Sequence, residues 1–503
     1  MTRINTNVAS MIAQNNLAKS NKDMSVSLQR LSTGLAINRG ADDPAGLIVS
    51  ERLRSEIKGV GQAVDNAERA SNVIATAEGA LDEISRLLID MQSLVVESAN
   101  TGAFSKEEVE ANQLQIDSAI DSITRISNTT SFAGLKLLNG SLDYELSDVD
   151  SAAISDVAVR SANFAGAPEV PVSVDVVEPA SQAELFIDGT TVEEDVTIEV
   201  QGRDGVEVFN FKEGMNREQM LEAINAVKDA TGVAAEAHDD TWTDGTPAEG
   251  IRLYSADFGS EAFVSVQRRG GDPDFETHAF NEDQELDPDN TAVRARGEDV
   301  LALVNGHLAL GDGLDLSMHS TMLAADMTLE EDFASRAAFD PADPPSSTFK
   351  ITGGGAKYQI GPSVNVQQQA SFSIQSVAAS RLGDSKTGFL SSIRTGGDNA
   401  LIKSGAKADE QAGKASDIID KAVDQVSVMR GRLGAFERNT LDTTIRSQQI
   451  ALENLTSAES TIRDTDFAEE TSKLTRAQIL NNAGTSTLAM ANNTAQNVLQ
   501  LLG

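Results

Sequence analysis

The sequence contains no cysteine, and this absence removes several kinds of chemistry at once. Without a thiol there is no disulfide framework, no thiolate metal site and no cysteine nucleophile. Aromatic residues are also scarce, at 4% of the chain with a single tryptophan. Alanine, serine, leucine and valine are abundant instead, a composition that favours long helices with small-residue seams over a globular enzyme core.

Long apolar runs are missing too. No window approaches the roughly 18 consecutive apolar residues that a membrane-spanning helix requires. The N-terminal stretch MTRINTNVASMIAQNNLAKS has no basic start followed by an apolar core and a small-residue cleavage site. We therefore expect neither membrane insertion nor a cleaved signal peptide.

Charge is distributed unevenly along the chain. The formal net charge is -37, yet residues 1–40 hold five basic side chains against one acidic, and residues 471–503 hold two basic and no acidic ones. Almost all of the excess acid therefore lies between the two ends. Because phosphate binding needs a basic patch, this balance argues against nucleic acid as a partner and favours a solvated acidic surface.

Both ends show the alternating spacing of three and four residues that is typical of helices packed along a narrow seam. The seam residues near the N-terminus are Met24, Leu28, Leu31 and Leu35, and those at the C-terminus are Leu488, Ala491, Ala495, Val498 and Leu502. The spacing also runs through residues 57–95, and Ser105 with Glu108 forms a capping-box pattern that begins another helix. We predict that the two ends of the chain pair with each other as helices.

The pattern changes between residues 170 and 345. Alternating runs such as AELFID, VTIEV, EVFNF, IRLYSA and FVSVQ predict strands around one helical segment, NREQMLEAINAVKDA. The stretch GGDPDFETHAFNEDQELDPDN is acidic and punctuated by Pro and Gly, which indicates loop, and AAFDPADPPSS is typical of a linker. We predict an α+β insertion here, followed by a few strands that return to the helical body.

No residue pattern predicts catalysis or a strong metal site. The four histidines all lie in the insertion, belong to no HExxH pattern, and AHDDTWTDG does not fit an EF-hand loop. The glycine-rich GGDPDF and TGGGAK lack the Gly-Lys-Ser/Thr ending of a phosphate loop, and no GxSxG elbow is present. The aspartates of DPDNT could hold Ca²⁺, although a solvated acidic loop is the simpler interpretation. We expect no enzyme activity and no cofactor.

The two ends resemble a known family. Residues 1–59, MTRINTNVASMIAQNNLAKS through ERLRSEIKG, and residues 477–503, AQILNNAGTSTLAMANNTAQNVLQLLG, are similar to the ends of bacterial flagellin, the subunit of the flagellar filament. The resemblance rests on long runs at both ends rather than on one motif. In the middle, FNFKEGMNREQMLEAINAVKDATGVAAEA is similar to the β-α-β insert of many flagellins and hook proteins.

The resemblance implies a mainly α fold, in which long terminal helices form coiled-coil or helical-bundle tube domains and a central α+β insertion lies at the surface. It implies inner-tube helices at residues 1–45 and 459–503. Residues 46–169 would be an outer-tube helical hairpin with a short β segment, and residues 346–458 an outer-tube β segment with the C-terminal long helix. Residues 170–345 would be the variable, surface-exposed domain.

The resemblance also implies function and partners. It implies a structural subunit that self-assembles into the extracellular filament for swimming motility, with ends that fold on polymerisation. Its implied partners are other copies of the chain, an export chaperone at the C-terminal helices, the flagellar type III export apparatus, the filament cap and the hook-filament junction proteins. A seam that its own helix cannot cover agrees with coupled folding and association.

Two groups of polar or surface residues stand out beside the seam. The segment NRGADDPAGLIVSERLRS supplies candidates for contacts between subunits, namely Arg39, Asp42, Asp43, Glu51, Arg52 and Arg54, although a capped helix start at Asp42 and Asp43 is the alternative. Flagellins recognised by their Toll-like receptor usually carry Arg where this chain has Asp90 and Glu about where it has Gln115, whereas Leu94 matches. An acid in place of a base predicts weak recognition.

Other functions remain open at this point. A hook-filament junction protein has similar ends but usually a different C-terminal sequence, and the NVLQLLG ending favours flagellin. Outside this class, the acidic insertion could act as an adhesin or a cation-binding module. Thermal stabilisation of that segment by Ca²⁺ would distinguish the last possibility.

Overall fold

The chain is described from a computed structural model. The structure describes residues 6–100, 102–164, 167–243, 245–271, 275–281, 285–320, 322–336, 339–402 and 408–502. For residues 408–409 and 494–502 it describes the backbone only. The chain divides into two compact units. The first contains residues 1–74, 358–370 and 432–503, and the second contains residues 75–357 and 371–431.

The α-helices of the described residues include six long ones, three before the strands and three after them. In chain order they are α1 (Val8–Thr33), α2 (Pro44–Ser98), α3 (Lys106–Thr129), α4 (Arg217–Asn225), α5 (Lys228–Thr231), α6 (Glu331–Ala334), α7 (Ala408–Phe436), α8 (Asp442–Arg463) and α9 (Phe467–Leu502). A π-helical turn, Glu437–Leu441, joins α7 to α8.

The strands lie between α3 and α7. In chain order they are β1 (Ser131–Phe132), β2 (Leu135–Lys136), β3 (Tyr144–Ser147), β4 (Ile154–Ala162), β5 (Val170–Glu178), β6 (Gln182–Asp188), β7 (Val196–Gln201), β8 (Val206–Phe211), β9 (Val233–Thr241), β10 (Pro247–Phe258), β11 (Phe263–Gly271), β12 (Thr277–Phe280), β13 (Leu286–Thr291), β14 (Arg294–Arg296), β15 (Leu301–Val304), β16 (His307–Asp312), β17 (Asp315–His319), β18 (Leu323–Leu329), β19 (Ser346–Gly354), β20 (Ala356–Gln359), β21 (Gln369–Phe372), β22 (Gly383–Asp384) and β23 (Gly388–Phe389).

The predicted seam through residues 57–95 belongs to one long helix, α2. Its side chains Leu81, Ile84, Leu88, Met91 and Val95 are buried at alternating spacings of three and four residues. The next helix, α3, begins with the predicted capping box. The Glu108 backbone N–H donates to Ser105 Oγ, and the Ser105 N–H donates back to Glu108 Oε2 at 2.8 Å. The two predictions are confirmed.

Three large sheets dominate the region between the helical ends. One has eight strands in the order β3-β19-β5-β15-β16-β17-β18-β4, one has five in the order β13-β12-β6-β10-β9, and one has four in the order β14-β11-β7-β8. The eight-stranded sheet buries an aliphatic core that includes Val172, Val174, Leu316, Met327 and Phe349. The other two sheets share a second core with α4.

The mainly α fold class is wrong. The structure is about 45% helix and 30% strand, and its large β-sheet domain is as prominent as its terminal helices. Helical periodicity at the ends is long and easily seen, whereas short strands with period two give a weaker pattern per residue. The eight-stranded sheet also recruits β3 and β4 before residue 170 and β19 after residue 345.

The predicted acidic loop is also partly wrong. Within residues 270–290, Thr277–Phe280 and most of Leu286–Thr291 form strands that extend the five-stranded sheet. Leu286 is fully buried and packs with Phe186 and Trp242. On that strand Asp289 is exposed and Asp287 is half-buried, so the acidic composition concealed a strand. Residues 272–274 and 282–284 of the predicted loop lie outside the described residues.

Candidate assembly surface of the terminal helices

Helices α1 and α9 pack along each other in antiparallel directions. Near one end, Asn7 Nδ2 donates to the Ala491 carbonyl oxygen at 2.9 Å. Near the other, Arg30 Nη1 lies 3.6 Å from Glu470 Oε2. The paired helices therefore bring the two ends of the chain together, as the sequence predicts.

The faces that meet repeat at spacings of three and four residues. The buried or half-buried positions of this seam are Ser10, Ala13, Leu17, Ser20, Met24, Ser27 and Leu31 on α1, and Glu470, Leu474, Ala477, Asn481, Gly484, Leu488 and Ala491 on α9. Most of these side chains are small or polar, so the helix backbones approach closely. At Gly484, an added Cβ would lie 3.4 Å from Leu17 Cδ1.

Polar contacts fix the register of this seam. Ser10 Oγ donates to Asn492 Oδ1 at 2.9 Å, and Asn481 Nδ2 donates to Asn21 Oδ1. The side chain of Glu470 is only 5% exposed and faces Arg30, whose own side chain is 26% exposed. A buried ion pair specifies pairing more than it adds stability, because both charges give up water.

Large apolar side chains lie on the outer faces of the same two helices. They are Val8, Met11, Ile12 and Leu28 on α1, and Phe467, Ile479, Leu480 and Met490 on α9, each at least half exposed. Phe467, Ile479 and Leu480 line an open groove along one face of α9 together with Thr471 and Thr475. Exposed apolar surface of this extent is typical of an interaction site.

Some of the predicted seam residues lie where α1 and α9 meet, and at least one lies on the exposed outer face. Met24, Leu31 and Leu35 are half-buried. Leu35 also forms an isolated antiparallel β-bridge with Asp464, which lies between α8 and α9. Leu28 is 50% exposed and lies outside the contact between the two helices. Leu488 and Ala491 are half-buried against α1. The side chains of Ala495, Val498 and Leu502 lie outside the described residues, although their backbone is helical.

Among the predicted polar residues, the two aspartates hold their own loop together. Asp42 accepts hydrogen bonds from the backbone N–H groups of Asn38 and Arg39, and the bond from Arg39 is the main reason that its pKa lies below the usual value. Asp43 Oδ1 accepts from the N–H groups of Ala45 and Gly46 at the start of α2. Asp43 therefore caps the start of α2, whereas Asp42 closes the turn that precedes it.

The remaining polar candidates divide by whether they have a partner in this chain. Glu51 pairs with Arg54 at 2.9 Å and with Arg463 at 3.1 Å. Arg39 and Arg52 are exposed, and within the described residues neither makes an ion pair. These two guanidinium groups are available to a second molecule.

The three receptor-surface positions lie on α2 and α3. Asp90 and Gln115 are exposed, and Leu94 is half-buried. The carboxylate of Asp90 therefore faces solvent, which fits an altered charge at this surface.

Several residues on the faces of α1 and α9 were not predicted from the sequence. The small residues Ser10, Ala13, Ser27, Ala477 and Gly484 belong to the seam, and apolar periodicity does not detect them. Their own spacing of three and four residues is the signal that could have found them. Phe467, Ile479 and Leu480 were also missed, because they belong to the outer face of α9 rather than to its seam.

Two negative findings apply to the described part of the chain. There, no group of three or more His, Asp or Glu side chains is arranged to hold a metal ion. None of the helices found there combines the length and the apolar character that crossing a membrane requires.

Comparisons with known proteins agree with this geometry. The family model "Bacterial flagellin N-terminal helical region" matches residues 4–143, and "Bacterial flagellin C-terminal helical region" matches residues 416–502. Flagellin of Salmonella muenchen is 30% identical over 534 residues, and flagellin of Salmonella choleraesuis is 29% identical over 532, each alignment covering 99% of both chains. Flagellin B of Helicobacter pylori is 27% identical over 537 residues with the same coverage.

A solved structure of FliC from Burkholderia pseudomallei is 13% identical, with 74% of this chain and 99% of that chain covered at a TM-score of 0.24, which is too slight a likeness to carry an argument. The similarity to proteins named flagellin extends over 99% of the chain, and the two family models match its N- and C-terminal helical regions. The chain is a member of the bacterial flagellin family, a structural subunit of the flagellar filament.

Proposed function

We propose that the paired helices α1 and α9 are the surface through which copies of this chain assemble, and that assembly and the final folding of the ends are one coupled event. The observation that carries the proposal is the set of large apolar side chains left exposed on both helices, including Met11, Ile12, Phe467 and Ile479. The seam between the helices is occupied mostly by small or polar residues together with half-buried leucines. A second copy can cover the outer faces, which the described residues of this chain leave exposed.

The energies involved favour this order of events. Covering a large apolar side chain contributes roughly 1.5 to 3 kcal/mol, and a seam that is mostly small or polar, with its leucines only half-buried, offers a single chain much less. The helix pair therefore gains most of its burial when neighbouring copies close around it. A contact between different surfaces of successive copies gives an open helix, rather than a ring, when its rotation does not close.

We propose roles for the polar candidates and for the segments of the chain. Arg39 and Arg52 make ion pairs with acidic side chains of neighbouring subunits, since both are exposed and neither forms an ion pair among the described residues of its own chain. Residues 1–45 and 459–503 form the inner part of the filament, residues 46–169 and 346–458 the part around it, and residues 170–345 face outward. The acidic character of the middle supports an outward position, since repeated negative charge is tolerated best in water.

The proposed partners before and during assembly follow from family membership. An export chaperone covers the C-terminal helices, and the groove lined by Phe467, Thr471, Thr475 and Ile479 supports this placement. Delivery through the flagellar export apparatus, and growth between cap and junction proteins, place the protein outside the cell. Relatives named flagellin that match over 99% of the chain support the filament subunit over the junction protein. The role is structural rather than catalytic.

We also propose that recognition by the flagellin receptor is weak. The exposed carboxylate of Asp90 and the neutral side chain of Gln115 support this, because each differs in charge from what the resemblance leads us to expect. A receptor-reporter assay with purified monomer tests it. A strong response that is lost on substitution of Leu94 contradicts it.

The assembly proposal is tested by deleting residues 488–503. We expect a folded, soluble monomer whose far-UV spectrum and sheet unfolding match those of the intact chain, but which does not elongate filament seeds in precipitating salt. The matched point variant is Ile479→Ser with Leu480→Ser, which removes apolar surface from α9 without touching the seam. It should elongate seeds more slowly.

The control for both variants is Val364→Ser, a change at an 89% exposed side chain in the same unit but outside α1 and α9. It should elongate seeds at the rate of the intact chain. Long filaments formed by the deletion variant contradict the proposal.

A further inference from the structure

The outer face of the eight-stranded sheet carries an apolar patch. Its residues, called the leucine patch below, are Val177, Leu301, Leu303, Leu308 and Leu310 on β5, β15 and β16. Leu303 and Leu308 are directly opposite each other across the β15–β16 pair. Leu310 is 78% exposed and Leu308 is 65% exposed, although both lie well inside the sheet rather than at its edge. Adjacent aliphatic side chains this open are typical of a contact surface.

Acidic side chains surround the leucine patch. Asp175 and Glu178 lie on β5 opposite Leu303 and Leu301. On the other side, Asp312 at the end of β16 lies opposite Asp315 at the start of β17. A partner for this surface therefore needs an apolar centre and basic groups around it.

The four-stranded sheet of the same chain presents such a surface. Its outer side, called the arginine face below, consists of Val206 and Val208 on β8, Phe263 and Arg269 on β11, and Arg294 and Arg296 on β14. Val206 and Val208 are about half exposed on a strand that pairs only with β7 within the described residues. Bare apolar side chains on an edge strand are a site where another chain can dock.

The basic groups of the arginine face are available. Arg269 donates two hydrogen bonds to the carboxylate of Glu199. Arg294 and Arg296, in contrast, make no ion pair within the described residues. The Arg294 guanidinium lies 4.1 Å from the centre of the Phe263 ring, which keeps it on the outer face of the sheet. Both guanidinium groups are exposed, so a carboxylate of another molecule can reach them.

We propose that the leucine patch of one subunit docks on the arginine face of a second copy of the chain in the filament. The apolar centres match, and the acidic rim of one surface meets the free guanidinium groups of the other. The two surfaces differ, so the contact is heterologous and each subunit can both give and receive it along a helical array. Subunits already held in a filament are at high effective concentration, so a contact of modest area suffices.

The inference goes beyond the role of the terminal helices. It requires that the chain forms filaments, but it does not require any particular residue of α1 or α9 to make them. Filament growth and contact between β-sheet surfaces are therefore separate measurements.

The test uses the absence of native cysteine. Filaments of the double variant Leu310→Cys with Val208→Cys are treated with a short bifunctional maleimide, dissolved and run on a denaturing gel. We expect a ladder of covalent multimers, because each subunit is joined to two neighbours. Copolymers of the two single variants should give dimers only, and unassembled double variant should remain monomeric.

Two further outcomes decide the specificity of the contact. A control pair, Leu310→Cys with Val364→Cys, should give no ladder, and a ladder equal to that of the test pair would overturn the proposal. Dimers from Leu310→Cys alone would show that leucine patches meet each other, which overturns the heterologous contact. Absence of a ladder in intact filaments, checked by electron microscopy, overturns it as well.

A charge variant keeps the proposal testable if the cysteine variants polymerise poorly. Arg294→Glu with Arg296→Glu should lower the temperature at which filaments dissociate by several degrees, whereas Arg294→Lys with Arg296→Lys should lower it much less. The unfolding temperature of the monomer should be the same in both variants. Equal filament stability for the Glu and Lys variants contradicts the contact.

Discussion

The helix pair α1–α9 and the eight-stranded sheet bury their residues in opposite ways. The sheet encloses Phe349, Val174, Leu316 and Met327 almost completely within a single chain. The helix pair meets mostly through small or polar side chains, keeps the leucines of its seam only half-buried, and leaves other large apolar residues such as Phe467 exposed. A close seam of small residues sets the geometry of two helices, but it contributes little of the apolar burial that stabilises a fold. The difference separates the part of the chain that is stable alone from the part completed by its neighbours.

The largest expected effect tests the stability of the sheet. Phe349→Ala removes a side chain that is 1% exposed in the core of the eight-stranded sheet. It should destabilise the monomer by about 3 to 5 kcal/mol, because a cavity is added to the lost apolar transfer. Urea unfolding of the monomer, followed by tryptophan fluorescence and circular dichroism, measures it.

The matched control is Leu310→Ala on the outer face of the same sheet. That side chain is 78% exposed, so the free energy of unfolding should change by about 0.5 kcal/mol or less. Similar losses for the two variants would mean that the sheet does not carry the stability of the monomer.

A smaller effect is expected from overfilling the helix seam. Ala13 is 6% exposed where α1 meets α9, and Ala13→Leu should weaken the pairing by about 1 to 3 kcal/mol because the backbones must separate. Hydrogen exchange at the amides of α9 should become faster, while the sheet amides keep their protection. Met11→Leu, which places the same new residue at an exposed position of α1, should leave exchange in α9 as it is. Unchanged exchange in the Ala13 variant would contradict the seam.

The helix pair shows how far a sequence pattern reaches. Periodicity predicted that the chain ends pair, and it placed Met24, Leu31, Leu488 and Ala491 on the contact faces. It also predicted Leu28 as a seam residue, although that side chain is half exposed, and it missed the neighbouring Ser27, which is buried. An apolar pattern records where burial occurs in the finished assembly, so it does not distinguish a face buried within the chain from one covered by another copy.

The sheet shows where such reasoning stops. Most individual strands between residues 182 and 267 follow the alternating pattern, yet the pairing of β5 with β15 and β19 joins residues more than a hundred positions apart. Nothing in a local pattern specifies those partners, because register and strand order depend on which faces can be buried together. The outward leucines of β16 were missed for the same reason. By residue type Leu308 and Leu310 would be assigned to the core, and only the strand order of the sheet reveals that they lie on its exposed face.

The capping box of α3 provides a prediction of intermediate size. Ser105→Ala removes the hydroxyl that accepts the Glu108 N–H and should cost about 1 kcal/mol, since a helix N-terminus loses one satisfied donor. Thermal unfolding of the monomer measures it. Ser118→Ala, an exposed change within the same helix, is the control and should cost less. A Ser105 variant as stable as the intact chain would show that the ends of α3 do not contribute to the stability of the folded unit.

The smallest effect concerns acid stability and the loop that joins the sheets. Asp299 Oδ1 accepts the Gly313 N–H at 2.8 Å and the Ser260 N–H at 2.9 Å, and Oδ2 accepts Ser260 Oγ at 2.6 Å. Burial alone would raise the pKa of Asp299, but these hydrogen bonds outweigh it and hold the pKa below its usual value. A lowered pKa in the folded chain means that the unfolded chain takes up the proton first. The stability that Asp299 contributes is therefore present above a pH of about 4 and is lost as the pH falls towards the folded pKa.

Asp299→Asn removes this titration. The variant should be less stable than the intact chain at neutral pH, because an amide accepts these hydrogen bonds more weakly than a carboxylate. The difference in urea midpoint should shrink as the pH falls below about 4, where the native carboxylate also loses its charge. Ser260→Ala, which removes one donor, should show the same convergence with a smaller neutral-pH difference. A difference that stays constant across this range would mean that the charge of Asp299 does not hold the loop, and that its contacts stabilise the sheet by shape alone.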